Sequence, residues 1–473
     1  MGNELLGKLA NLAQLRVPAP LEPGFRPAAV ANRTYRKAVA ESGQGVPLVI
    51  GLQRADGTTS RYETQVFPDG HGKAELNLPY AERLVKFLLW QKGGWQVTVG
   101  GPRSVSEHVR DVYSPGGPRA FDVEFMGETT YERPFQVVLT DADKVPPARE
   151  ASVPLGRHLE GARIGFDLGA SDRKMSAVLD GEAVYTEEVV WDPRSQSDPS
   201  YHYNEINAGL KAAAAKLPRV DAIGGSSAGV IINNRPMIAS LFRGVPKELF
   251  DAKVKSIFLD LAKEWGVPFE VANDGDVTAL AGAMSLNDTC VLGIAMGSSE
   301  AVGYVDAQGN ITGWLNELAF APIDYNPSAP ADEWSGEIGV GSQYLTQQAV
   351  FRLARQVSIK LDEKATLADQ LKSVQDLLEA GDADARNIWE TIGVYAGYAV
   401  AHYADFYQIK HLLLLGRVTS GSGGPIILDK ANEVLAAEFP DLVKKIELHL
   451  PDEKTRRVGQ AVAAASLPAG RSV

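Results

Sequence analysis

Two strand–turn–strand segments with small, hydroxyl-bearing turns bracket a strand that ends in Asn273-Asp274, and this arrangement limits the possible folds more than any other feature of the chain. In the first, residues 164–167 (IGFD) run into a turn at Gly169, Ala170 and Ser171. Residues 175–179 form the returning strand, Asp180-Gly181 makes a hairpin, and residues 183–191 form a third strand. In the second, residues 291–296 (VLGIAM) read as a buried strand, Gly297, Ser298 and Ser299 as a tight polar turn, and residues 301–305 as the return. Turns of this kind let backbone N–H groups approach a phosphate. A single Asp-Gly hairpin occurs in any β protein; two around one Asn-Asp element are far more restrictive. That element, residues 267–276 (VPFEVANDGD), delivers Asn273 and Asp274 to a turn before the helical run 277–284. A carboxylate at a strand end beside an amide suits a general base that takes a proton from a bound hydroxyl. The same residues also suit a turn and a helix cap.

Strands and helices alternate through this half, which implies an α/β architecture. Residues 247–265 form one amphipathic helix with Phe250, Val254, Ile257, Phe258 and Leu261 on a face, stopped by Gly266 and Pro268. Residues 385–408 form a second long helix whose small-residue stripe suits helix packing or a contact with a second copy of the chain, and it feeds the apolar strand 409–415. Before a proline-rich connector at 141–160, containing Pro146, Pro147 and Pro154, the pattern is strand-rich. Strands are expected at 48–52, 62–67, 95–99, 121–125 and 135–139, with a hairpin at Asp56-Gly57 and a helix at 81–90.

With 473 residues the chain exceeds one ordinary core. Lysine and arginine total 47 against 59 acidic residues, a net charge of −12, which argues against nucleic acid as a partner. No apolar run approaches a membrane span and no signal peptide is evident, so a cytoplasmic location is expected. A single cysteine, Cys290, excludes a thiolate-rich zinc site. The seven histidines show no close ligand spacing and read as structural or exposed, so no structural zinc is expected.

The order of these motifs, with Gly-Ser-Ser-Ala-Gly at 225–229 between the first hairpin and Asn273-Asp274, resembles the ROK family of sugar kinases in the actin-like ATPase and hexokinase superfamily. The resemblance covers residues 161–467. It implies a two-lobed actin-like (ribonuclease H-like) α/β fold, preceded by an α+β or β-rich N-terminal domain. The expected division is 1–155 for the accessory domain, 160–285 for the first lobe and 286–473 for the second. It further implies ATP and Mg²⁺ as cofactors. Asp167 would hold Mg²⁺ through water, and Gly169 and Ser171 would belong to the first phosphate motif. Ser227 and Gly229 would lie near the sugar. Asn273 would contact it, and Asp274 would be the catalytic base. Gly297, Ser298 and Ser299 would form the second phosphate motif, and Gly416 would open the adenosine-side loop.

The chain also departs from the family pattern. Lys174 stands two places late in the first motif, Glu300-Ala-Val replaces a glycine run after the second, and Arg417 takes the place of a glycine. Glu317 fits the sugar-binding glutamate, with Phe320 where histidine is usual. Gly336-Glu337-Ile-Gly339 is a second match, and it puts Ser342 at a second glutamate position. Both readings stand at this stage. The resemblance implies ATP-dependent phosphorylation of a sugar hydroxyl. The alternatives are a non-catalytic sugar or nucleotide sensor on the same fold, or an N-acetylhexosamine kinase or BadF-type ATPase.

Overall fold

The first strands follow the alternation of the sequence. β1 (Val46–Gln53) pairs antiparallel with β2 (Thr59–Val66) and with β3 (Gln96–Gly100), and β3 runs parallel to β4 (Gln136–Thr140). The sheet order is β2-β1-β3-β4. This computed structural model describes residues 2–150, 155–450 and 453–469; the connector residues 151–154, Pro154 included, lie outside the described residues. The helix Asn77–Lys92 buries Tyr80, Leu84, Phe87, Leu88 and also Lys86. Residues 121–125, expected as a strand, are helical instead: Ala120–Glu124 continues into a wide π-helical turn, Phe125–Tyr131. The run F-x-V-x-F satisfies a helix and a strand equally. Tertiary contacts select the helix, which carries Phe125 to within 4.7 Å of the Trp90 ring and aims Asp122 at Lys86, 2.8 Å away.

Two compact units make up the chain. One comprises Met1–Ala151, Ile294–Ala301 and Trp314–Leu450; the other comprises Ser152–Gly293, Val302–Gly313 and Pro451–Val473. In the first unit the N-terminal segment is tied to the later one by charge. Arg33 and Arg36 reach Asp405 at 2.9 and 2.6 Å, Arg352 reaches Glu22 at 2.5 Å, and Lys86 lies 3.9 Å from Glu337, which also pairs with Arg119.

The second unit is built on a mixed sheet of order β11-β8-β5-β6-β7. Its strands are β5 (Ala162–Leu168), β6 (Asp172–Leu179), β7 (Glu182–Val190), β8 (Ala222–Ser227) and β11 (Phe269–Asn273), and a small hairpin joins β9 (Val230–Ile232) to β10 (Arg235–Ile238). β5 is parallel to β8 and β8 to β11, whereas β6 and β7 follow β5 antiparallel. All residues of β5 and β8 are buried, as expected for strands covered on both faces. Strand period two divides β5. Ile164, Phe166 and Leu168 join a core with Ile206, Leu210, Phe258 and Leu261, so Gly165 and Asp167 take the opposite face. There the helix Glu453–Ala465 lies on bare backbone: a Cβ at Gly165 would stand 2.0 Å from the Ala461 carbonyl oxygen, and one at Gly224 1.8 Å from that of Ala464.

The expected single helix over 247–265 is broken. Lys247–Leu249 passes into a π-helical turn, Phe250–Val254, with the Lys255 N–H bonded to the Phe250 carbonyl, and a new helix starts at Ile257. The remaining strands are β12 (Val291–Met296), β13 (Glu300–Val305), β14 (His411–Leu415) and β15 (Glu447–His449), in the order β13-β12-β14-β15. The helix before β14 spans Ala383–Tyr403. No helix of the described residues is long and apolar enough to cross a membrane.

Candidate functional site

In the second unit the strand register assembles the carboxylates. Asp167 stands opposite Ser226 in the parallel β5–β8 pair and opposite Lys174 in the antiparallel β5–β6 pair. Ser226 donates its hydroxyl to Asp167 Oδ1 at 2.8 Å, and Gln460 donates to the same oxygen at 3.4 Å. Lys174 Nζ lies 3.9 Å from Asp167 Oδ2 and 3.0 Å from Asp172 Oδ1. Burial raises the Asp167 carboxyl above its ordinary range and outweighs Lys174 and Ser226. Burial works against the Lys174 ammonium, yet Asp172 and Asp167 hold its pKa above the ordinary value.

One strand further, Asn273 pairs with Ser227 in the β11–β8 register. Asn273, not Asp274, caps the helix Asp274–Leu286: its side-chain oxygen accepts from the Gly275 N–H at 2.7 Å, and its amide donates to the Gly229 carbonyl at 2.8 Å. Those two bonds leave the Asn273 amide one N–H and one lone pair for a ligand. Asp274 is therefore the first residue of the helix. Its carboxyl is raised to about 6, first by burial and then by the nearby Asp167 charge, against a backbone hydrogen bond from Gly275. The Ser227 hydroxyl is buried and has no hydrogen-bond partner. Asp167, Ser227, Gly229, Asn273 and Asp274 thus gather at the C-terminal ends of three parallel strands, where open α/β sheets bind ligands.

In the first hairpin the Gly169 N–H is used within the turn, bonded to the Asp172 carbonyl at 2.9 Å, and Trp191 Nε1 donates to the Gly169 carbonyl. Ser171 donates its hydroxyl to Asp172 at 3.1 Å. Phosphate-directed donors in this turn therefore have to come from residues after Gly169. The Asp167 carboxylate, with the Ser226 hydroxyl 2.8 Å from it, offers oxygen donors of the kind a hard divalent cation takes.

The first unit carries the other predicted residues. Gly297 donates its N–H to the Ser299 carbonyl at 3.1 Å and accepts from the Gln347 N–H at 2.9 Å, at the start of the helix Gln347–Gln356. Ser298 and Ser299 are exposed. Gly416 has φ +94°, and a Cβ there would stand 2.4 Å from the Met296 carbonyl oxygen, so the end of β14 is pressed against the end of β12. Glu317 is half-buried, with Glu300 close enough to feel its charge. Ser342 donates its hydroxyl to Asp332 at 2.8 Å. Glu337, in the second glutamate match, is engaged by Arg119 and Lys86.

Sequence reasoning missed Ser226 and Gln460 as partners of Asp167, because both depend on tertiary register. It also missed the buried carboxyl of Glu300. That carboxyl is raised to about 8 by burial, eased by a 3.3 Å hydrogen bond from Tyr403, and its Oε2 has no hydrogen-bond partner.

The mixed sheet, its C-terminal helix and the sheet β13-β12-β14-β15 make up an α/β fold. Solved structures share it, among them two that bear on this chain. A ROK family transcriptional regulator, homolog of the E. coli MLC protein, superposes with a TM-score of 0.53 at 18% identity, covering 65% of this chain and 78% of that one. The ROK hexokinase from Thermus thermophilus superposes with a TM-score of 0.50 at 17% identity, covering 64% of this chain and 97% of that one. No protein-family model and no curated protein matches the chain.

Proposed function

We propose that the chain phosphorylates a hydroxyl of a sugar or sugar derivative with ATP. The observation that carries this reading is Asp274: a strand-end carboxyl, raised to about 6, beside Asp167 and next to an amide with hydrogen-bonding capacity in reserve. A base whose pKa lies near the working pH is ionised for most of the time yet still basic enough to accept a proton. The fold supports the reading because it occurs in a ROK hexokinase.

In this mechanism Asn273 and the unpartnered Ser227 hydroxyl orient the sugar. Asp274 accepts the proton of the attacking hydroxyl. Asp167, positioned by Ser226 and Gln460, is the residue that would hold Mg²⁺. That ion, when bound, neutralises charge on the transferred phosphoryl group. Lys174 and Ser171 would lie along the phosphates. Because catalysis of phosphoryl transfer is mostly positioning and charge stabilisation, these groups need to be held rigidly more than they need to react.

The deciding experiment is ADP release across hexoses, N-acetylhexosamines and polyols, with Mg²⁺ present. Sugar-dependent release that falls about 10²–10⁴-fold in Asp274→Asn supports the kinase. Saturable sugar binding without release for any member of the panel makes the chain a sensor on this fold.

A further inference from the structure

β14 and β15 run parallel, with His411 opposite Glu447 and Leu413 opposite His449. Residues two apart on a strand share a face, so this register places His411, Glu447 and His449 side by side. Leu412 and Leu448 are buried on the other face. His411 Nδ1 and His449 Nε2 stand 3.0 Å apart, and each lies 3.9 Å from Glu447 Oε2. One ligand atom from each of the three residues falls within 4.8 Å of the others.

We propose that His411, Glu447 and His449 form a zinc site, with a water as fourth ligand. Tetrahedral zinc, with metal–nitrogen bonds of about 2.0–2.1 Å, sets its ligand atoms about 3.3 Å apart. The nitrogens need to open slightly and the carboxylate to close, and Glu447 is free to do so because its side chain is 71% exposed. The imidazoles are 15% and 21% exposed, so they are held by their surroundings while still open to an ion from solvent. Two imidazoles and one carboxylate form a donor set of borderline softness that favours zinc over magnesium or calcium. The single cysteine rules out only a thiolate site, and nitrogen and oxygen ligands need none.

The site lies at the opposite end of β14 from Gly416. His411 opens β14 and Gly416 follows its last residue, a strand length of roughly 16 Å. Its place in the fold also gives it a task. β15 is the edge strand of its sheet, only three residues long, and the chain crosses from the first unit to the second directly after it, between Leu450 and Pro451. A metal bridging β14 and β15 fastens that strand where a short parallel ladder holds it weakly.

The test uses the full chain without an affinity tag, stripped with EDTA, desalted, and titrated with Zn²⁺ against a chromogenic chelator. A parallel titration with Co²⁺ reports tetrahedral geometry through its visible absorption. The expected result is one tight equivalent per chain, a rise in Tm on adding Zn²⁺, and a loss of affinity of roughly a hundredfold or more in His411→Gln and in His449→Gln. Each variant should melt with the metal-free parent when both are in EDTA, which separates lost ligation from lost folding. Glu447→Gln should weaken binding less than either histidine change. The assignment is overturned if the parent takes up no equivalent at about 10 µM free Zn²⁺, or if the double variant His411→Gln/His449→Gln binds as the parent does.

Discussion

Asp274 and Glu300 are both carboxyls pushed up by burial, yet they predict different behaviour. In the fold the Asp274 pKa moves from 3.8 to about 6. Between those values the folded protein holds a proton that the unfolded chain has lost, so stability falls as pH rises through that window and levels off above it. Asp274→Asn removes this penalty and leaves the Asn273 cap untouched. Its Tm should equal the parent's at about pH 4, exceed it increasingly up to about pH 6 and hold the gain above, while turnover falls about 10²–10⁴-fold. A variant that melted below the parent at neutral pH, or kept its turnover, would make Asp274 a structural residue. For the parent, kcat/KM should decline as pH drops below about 6, because the base is then protonated. Glu300 is raised from 4.5 to about 8, so its contribution to stability is lost over a wider range, from about pH 4.5 to about pH 8. Glu300→Gln keeps the size and the Tyr403 contact, and thermal melts should show its advantage growing across that range and constant above it. A parallel course of the two melting curves would mean that Glu300 is ionised in the fold.

The helix Glu453–Ala465 reaches the sheet only because Gly165 and Gly224 carry no side chain. Gly224→Ala would overlap the Ala464 carbonyl, so the helix has to shift, at a cost of about 1–3 kcal/mol in denaturant unfolding. The shift also withdraws Gln460 from Asp167, so Mg²⁺-dependent activity should fall with stability. An alanine variant with unchanged midpoint and activity would show that the helix is not seated on that glycine. Such close approaches explain what could be read from the chain in advance. β5, β6, β7, β12 and β13 were legible because short apolar runs end in glycine or Asp-Gly turns, and those signals are local. Residues 121–125 were misread because Phe121 and Phe125 fit both periods, and only Trp90 and Lys86 decide between them. The break within 247–265 left no trace in the apolar pattern, since Phe250, Val254 and Phe258 keep helical spacing across it. Within the candidate site, Asp167, Asn273 and Asp274 were visible as strand-end polar residues. Ser226, Gln460 and the His411–Glu447–His449 group were not, because strand register and helix docking create them.

The N-terminal segment resembles a separate domain in sequence, yet Met1–Ala151 groups with Ile294–Ala301 and Trp314–Leu450 in one compact unit. The reason is electrostatic as much as apolar. Lys86 is fully buried, bonded to Asp122 at 2.8 Å through both carboxylate oxygens and 3.9 Å from Glu337, and its pKa is lowered to about 8 by burial against the pull of Asp122. Removing one partner of a buried pair strands the other charge and typically costs about 3–5 kcal/mol. Lys86→Ala should therefore destabilise the chain by that order, and Lys86→Met, which fills the space, by nearly as much because Asp122 is still left without its cation. Deleting residues 1–155 removes more. Asp405 loses Arg33 and Arg36, Arg352 loses Glu22, Asp324 loses the Arg26 N–H, and Glu337 loses both Lys86 and Arg119. Asp405, Arg352 and Glu337 are then left without these ion pairs, on a surface that is apolar where Trp90 and Phe125 had covered Phe320. The truncated chain should be insoluble or lack a cooperative thermal transition, and a double deletion-and-rescue test, with residues 1–155 supplied as a separate polypeptide during refolding, should recover soluble material. A truncated chain that is soluble by itself, melts cooperatively and releases ADP with the parent's substrates would show that the ion pairs are peripheral and that the catalytic residues need no support from the N-terminal segment.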